Sequence, residues 1–241
     1  MSVLIYIDSE NGKVKKSAFE VATYARAIAD KQQTKVVAVT INVPQPEVLA
    51  AYGVNKVLSI TNDQLQHISA NALNHLLQQA VAKENSTIVV FSASSQAKEV
   101  APLLANSLQA GYVSNIISLP TEDFIVKSNV FSNKAISLSQ INTPIKVLGL
   151  APNAFKTEEK NVELTVEPFA PALSNSDWQI QVITTEKTSG KVSLDDATIV
   201  VSGGRGLKSA ENWQIVEGLA EVLGAATACS KPVADMGWRP H

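Results

Sequence analysis

The sequence is short of the residues that most often carry chemistry. Among 241 residues it has one cysteine, Cys229, and three histidines, His67, His75 and His241. A single thiol closes no intrachain disulfide, and no cysteine or histidine spacing matches a zinc site, so no metal is expected. His67 and His75 are expected about two turns apart on one helix, as surface residues. Cys229, set among alanines, is expected as a small buried apolar residue. Charge of one sign is scarce too: 20 Lys and Arg against 22 Asp and Glu leave a net charge of -2. Without a basic stripe there is no electrostatic footprint for nucleic acid. No apolar run approaches the roughly 20 residues of a membrane span. MSVLIYIDSENG opens on a strand-like run and not on a basic, then apolar, leader. Membrane insertion is therefore not expected, and a cytoplasmic location is. Asp195 and Asp196 read as turn residues ahead of a strand, so no catalytic acid or base is expected from them.

What the chain has is a 45% hydrophobic composition and a regular alternation of apolar runs with segments of helical period. That is the pattern of β-α-β units, with helices covering a mainly parallel sheet. Strands are expected at 3–7, 36–41, 56–60 and 87–91, and helices at 17–31, 64–83 and 97–108. Phe19, Ala22, Tyr24, Ala25 and Ile28 form the apolar stripe of the first helix. From 114 to 150 β-branched residues and turn-like breaks predict a meander or edge strands on the same sheet. SASSQAKE, at 92–99, could cradle a phosphate, but helix capping accounts for it more economically. The polar stretch around Gly190 is the best linker, giving a first domain at 1–186, a linker at 187–195 and a second domain at 196–241.

The second domain carries the most informative stretch, VVSGGRGLKSAENW. The apolar run 198–202 predicts a parallel strand buried on both faces. A glycine loop follows, then a helix with Val216, Leu219, Ala220 and Leu223 on its apolar face and Gly224 as its terminator. A small-residue strand at 225–229 places Ser230 and Lys231 at its carboxyl end. Glycine lets backbone approach a ligand, and a helix start offers free N–H groups to a phosphate. Arg205 adds a planar charged fork. In an open parallel sheet ligands sit beyond the carboxyl ends of the strands, where both Arg205 and the Ser230–Lys231 pair are expected. The loop matches neither GxGxxG nor GxxxxGK[ST], so these residues alone predict a nucleotide site without naming the nucleotide.

SGGRGLKS, the SLDDA ahead of it and the closing SKPVADMGW resemble the FAD domain of the electron transfer flavoprotein α-subunit family. VLIYIDSENGKVKKSAFEVATYAR, AYGVNKVL and KEVAPLLANSLQAGYVSNIISL resemble the same family's first domain. The resemblance implies an adenine nucleotide hydrolase-like α/β domain followed by the first part of a Rossmann-like, doubly wound FAD-binding domain. It implies FAD as cofactor, held by Gly204, Arg205, Gly206, Ser230 and Lys231, with Lys231 standing where the family usually has an arginine against the isoalloxazine ring. It implies a heterodimer with a β subunit, and electron carriage from flavoprotein dehydrogenases to a quinone oxidoreductase, with no side-chain catalysis. The family's VGQTGK, GISGAIQH and INKD segments would follow His241, which puts their adenosine and pyrophosphate contacts outside this polypeptide. The alternative is a nucleotide- or partner-binding module without a working FAD site. With about one β-α-β unit, the second domain is expected to need a neighbour, or a second copy, to stay ordered.

Overall fold

The computed structural model describes residues 1–180, 182–184, 194, 197 and 199–239. They fall into two compact units, Met1–Val182 and Ile183–His241. Apart from Leu194, the linker expected at 187–195 lies outside the described residues, as do Asp195, Asp196 and His241.

The first unit contains β1 (Ser2–Tyr6), β2 (Ser9–Glu10), β3 (Lys13–Val14), α1 (Lys16–Lys31), β4 (Lys35–Ile41), β5 (Lys56–Ile60), α2 (Ala70–Glu84), β6 (Ser86–Phe91) and α3 (Ser95–Ser107). It continues with β7 (Gly111–Ile116), β8 (Ile125–Val130), β9 (Ala135–Gln140), β10 (Lys146–Leu150) and β11 (Thr165–Pro168). Nine of these strands form one sheet, ordered β11-β5-β4-β1-β6-β10-β7-β8-β9. Pairing is parallel from β11 to β7 and antiparallel for β7–β8 and β8–β9. The mainly parallel α/β sheet read from the alternating pattern is what forms.

Strand alternation divides the core between two faces. Val3 and Ile5 of β1 join α1's Ala18, Val21, Ala22, Ala25 and Ile28. Leu4 and Tyr6 join Leu73, Leu76, Leu77, Val100 and Leu104 of α2 and α3 on the other face. Each helix on that second face is capped by a serine. Ser69 Oγ accepts from Ala72 N at 3.2 Å, and Ser94 Oγ accepts from Ala97 N at 3.1 Å. α2 ends at Asn85 in the left-handed region, φ 47°.

Two expectations need correction here. The helix expected at 64–83 begins only at Ala70; Asp63–Leu65 is a separate 3-10 turn, which leaves His67 off the helix. The 114–150 region does supply an antiparallel meander through β8 to β9, with β9 at the edge, but its last strand, β10, sits inside the sheet between β6 and β7. The reason is composition: Val147, Leu148, Gly149 and Leu150 are all buried, as an interior parallel strand requires. Pro168 closes the edge strand β11, where a missing N–H is tolerated.

β11 is tied down by charge. Glu167 pairs with Lys56 at 2.6 Å and Lys83 at 2.8 Å, and Lys56 also pairs with Glu84 at 2.7 Å. The hydrogen bond from Lys56, then that from Lys83, hold the Glu167 carboxyl down at about 2, from an ordinary 4.5. A carboxyl lowered in the folded state stabilises above its unfolded pKa, and that stability is lost as pH falls through the folded one. Glu167→Gln is therefore expected to lower the melting temperature at pH 7 and to flatten its decline between pH 4.5 and 2. Thermal melts followed by circular dichroism across that range check this; an acid limb identical to that of the wild type contradicts it.

The second unit contains β12 (Val200–Gly203), α4 (Gln214–Leu223), β13 (Ala226–Cys229) and α5 (Lys231–Asp235). β12 and β13 pair in parallel, Val200 with Ala226 through Gly203 with Cys229. Its core is small: Trp213, Val216 and Val233 are buried, with Val201, Leu207, Cys229 and Trp238 packed around them.

The strand expected at 198–202 is not buried on both faces: Ile199 and Val200 are 43% and 44% exposed. Its sheet has only two strands among the described residues, too few to enclose it. For the same reason α4 buries only Val216 and Ala220 of its expected stripe, and Leu219 and Leu223 are exposed. Gly224 does end the helix, in the left-handed region at φ 58°. Cys229 is half-buried beside Trp213 and not enclosed.

Candidate functional site

The site grows from the strand register. Gly203 pairs with Cys229, and Ser230 N donates to Gly203 O at 3.1 Å, so the loop after β12 and the start of α5 lie side by side. Gly204 stands next to Ser230: a Cβ on Gly204 would come 3.9 Å from Ser230 Oγ. Arg205 and Lys231 each follow one residue further on, at the carboxyl edge of the two-strand sheet. Both are exposed. All five residues singled out in the sequence, Gly204, Arg205, Gly206, Ser230 and Lys231, thus belong to one edge.

The glycines divide by role. A Cβ on Gly203 would lie 2.6 Å from the Trp213 ring and 2.8 Å from Leu207 Cδ1, so Gly203 is a packing glycine. A Cβ on Gly206 would meet nothing within 4 Å. Gly204 and Gly206 therefore leave backbone open to solvent, while Gly203 lets the tryptophan seat beneath the loop.

The loop does not run straight into a long helix, as the pattern suggested. Arg205–Leu207 forms a 3-10 turn, Glu211–Trp213 a second, and α4 starts only at Gln214. Leu207 N donates to Gly204 O at 3.1 Å, Lys208 N to Arg205 O at 3.0 Å and Asn212 Nδ2 to Leu207 O at 2.6 Å. Lys208 takes φ 68°, a left-handed conformation uncommon for a side-chain-bearing residue. Ser230 occupies the cap position of α5, yet its hydroxyl accepts no helix amide.

Arg239 is a part of this unit that the sequence did not single out. Its guanidinium lies 5.1 Å from the Trp213 ring centroid and pairs with Glu217 at 2.8 Å, closing the turn after α5. The pair spans 22 residues, a separation that no local spacing rule reads.

The first unit offers a second place to look. Its chain runs from β1 out to β5 and then returns to β6 on the other side of β1, so β1 and β6 define a switch point where ligands of such sheets sit. Here Asp8 fills that place. Ser94 Oγ donates to Asp8 Oδ1 at 2.8 Å, Ser92 Oγ donates to Asp8 Oδ2, and Ser94 also caps α3. Burial pushes the Asp8 carboxyl up, while the two serine hydroxyls and Lys15 pull it back. SASSQAKE is thus a capping segment satisfied from within. His75 is a surface residue, as expected, and bonds through Nδ1 to the buried Asp177 carboxylate. A cavity of about 320 Å³ at the opposite end of the sheet is lined by the paired Lys56, Glu84 and Glu167, whose charges already have partners. No group of metal-ligating residues occurs among the described residues. No described helix is long and apolar enough to cross a membrane.

The fold defines a class, an α/β protein with a mainly parallel sheet. Open glycine backbone, two cations unpaired among the described residues and a free hydroxyl lie at the carboxyl edge of parallel strands, the side where ligands of such sheets sit. Comparison with known proteins narrows it. The family described as Electron transfer flavoprotein domain matches residues 3–173, and the Electron transfer flavoprotein FAD-binding domain matches residues 193–241. The chain belongs to the electron transfer flavoprotein family, on its α-subunit side. It is 29% identical over 238 residues to the electron transfer flavoprotein subunit alpha of Bacillus subtilis (strain 168), covering 97% of this chain and 73% of that protein. It is 28% identical to the subunit alpha of Megasphaera elsdenii, over 97% and 74% of the two chains. A probable mitochondrial subunit alpha of Caenorhabditis elegans is 22% identical over 100% of this chain and 72% of its own.

Proposed function

We propose that this chain is the α subunit of an electron-carrying heterodimer that holds FAD at the glycine loop of its second unit. The single observation that carries the reading is the juxtaposition, set by strand register, of the Gly204–Gly206 backbone with Ser230 and Lys231. The residues present suit an anionic flavin nucleotide. Gly204 and Gly206 let a pyrophosphate approach the backbone, and the Arg205 fork matches two phosphate oxygens. Bound there, FAD would supply the one-electron chemistry that no side chain of this protein provides. Arg205 then binds and orients, and Ser230 donates its uncommitted hydroxyl. Lys231 brings a positive charge to the side where the ring would lie. Electrons would come from flavoprotein dehydrogenases and pass to a quinone oxidoreductase, with an electron transfer flavoprotein β subunit completing the carrier.

Visible absorption tests this directly. The chain purified with its β subunit is expected to carry stoichiometric flavin and to bleach when a flavoprotein dehydrogenase and its substrate are added. A complex that remains colourless in saturating FAD contradicts the carrier and leaves a binding module. The lysine makes its own prediction. An ammonium is a point charge without a flat face, so Lys231→Arg is expected to shift both one-electron potentials of the bound flavin. Spectroelectrochemistry reads the shift; unchanged potentials place Lys231 away from the ring.

A further inference from the structure

Arg239 holds a position that leaves one of its donors unused. Its Nε is buried without an acceptor among the described residues, although the side chain is 34% exposed and could turn that N–H to water. Two contacts keep it there. The guanidinium lies 5.1 Å from the Trp213 ring centroid, and its terminal nitrogen pairs with the Glu217 carboxylate at 2.8 Å. Trp213 and Glu217 are four residues apart at the start of α4, the spacing that sets two side chains over one face of a helix. One planar fork can therefore stack on the ring and grip the carboxylate together.

The indole carries that clamp to the glycine loop. Trp213 is 2% exposed, and a Cβ on Gly203 would fall 2.6 Å from its ring and 2.8 Å from Leu207 Cδ1. Leu207 ends the 3-10 turn that begins with Arg205, and it packs on the same small core as the ring. The bonds from Leu207 N to Gly204 O and from Lys208 N to Arg205 O stay within the bend. Asn212 Nδ2 reaches in from outside it, to Leu207 O at 2.6 Å. The bend is thus seated on the indole and on Asn212, both from the 3-10 turn Glu211–Trp213.

We infer that Arg239 is a positioning residue of the flavin site: by clamping Trp213 it fixes the seat of the 205–207 turn, and so the direction in which Arg205 presents its fork. This rests on the FAD reading above. The role is orientation and not charge, because Glu217 already balances the Arg239 cation. A binding group held in its bound geometry beforehand loses less freedom when the ligand arrives. Loosening the clamp should therefore cost affinity even though Arg205 itself is untouched.

The test is a double-mutant cycle on the chain–β-subunit complex, with FAD affinity read by equilibrium dialysis. Arg239→Met keeps an unbranched stem and removes the fork. It is expected to weaken FAD binding about tenfold beside Arg205, and less than about threefold in the Arg205→Ala background, where no guanidinium is left to aim. Arg239→Lys keeps the ion pair and loses the flat face, and is expected to recover part of the loss. In the chain without FAD, the near-ultraviolet tryptophan band is expected to weaken in Arg239→Met and to return in part in Arg239→Lys. Where calorimetry shows that Arg239→Met unfolds the second unit, Glu217→Gln, which leaves the fork and removes its ion pair, carries the same cycle with an expected loss of about threefold. An equal loss in both Arg205 backgrounds makes Arg239 a stabilising residue only and overturns the inference. Wild-type affinity without Arg239 overturns it as well and leaves the FAD reading standing; a wild-type complex that takes up no flavin overturns both.

Discussion

Trp213→Ala is expected to remove the cooperative unfolding of the second unit while the first unit melts as before. Among the described residues of that unit the buried hydrophobic side chains are Trp213, Val216, Ala220, Ala226 and Val233, and the indole is the largest of them. It lies under Gly203, whose missing Cβ makes the room, and it faces the Arg239 guanidinium at 5.1 Å. Truncating a buried tryptophan costs about 3–5 kcal/mol through lost transfer energy and the cavity left behind. A unit this small has little stability in reserve. Gly203→Val should act from the other side of the same contact, by forcing side-chain carbon into the ring. Differential scanning calorimetry with near-ultraviolet circular dichroism separates the two units. An unchanged calorimetric profile and an intact tryptophan signal from the remaining indoles contradict the proposed core.

Arg205→Ala is expected to weaken FAD binding by the heterodimer by a factor of about 10–150, the cost of losing a charge-assisted contact worth about 1.5–3 kcal/mol. Arg205 is exposed and forms no ion pair among the described residues, so its removal should leave both melting transitions in place. Arg205→Lys keeps the charge and loses the fork, and is expected to fall between the two. Equilibrium dialysis against FAD gives the ratio. Equal affinity for the alanine variant and the wild type means that the loop arginine faces water when the cofactor is bound.

Much of the fold was legible because its signals are local. The apolar runs became β1, β4, β5 and β6, the helical periods became α1 to α3, and Ser94 capped α3 as SASSQAKE suggested. The candidate site was legible for the same reason: glycines after an apolar strand, and Ser230 and Lys231 after the next one, end up on one edge once the two strands pair in parallel. What escaped was set by distance along the chain. Asp8 finds Ser92 84 residues away, and His75 finds Asp177 across 102 residues. β10 looked like its neighbours β8 and β9, yet it crosses into the sheet because its burial, not its propensity, decides its place. The over-reading of β12 and α4 has the opposite cause. Their apolar pattern is that of elements covered on more sides than the described residues cover, so Leu219, Leu223 and Val200 remain exposed.

The central claim is that the bend after β12, and not the switch point at Asp8, receives the flavin. Amide hydrogen exchange on the chain–β-subunit complex, with and without saturating FAD, tests it most directly. The account predicts slowed exchange at residues 203–209 and 229–233, with residues 92–99 unchanged. Protection confined to 92–99, with the glycine loop exchanging as fast as before, contradicts it.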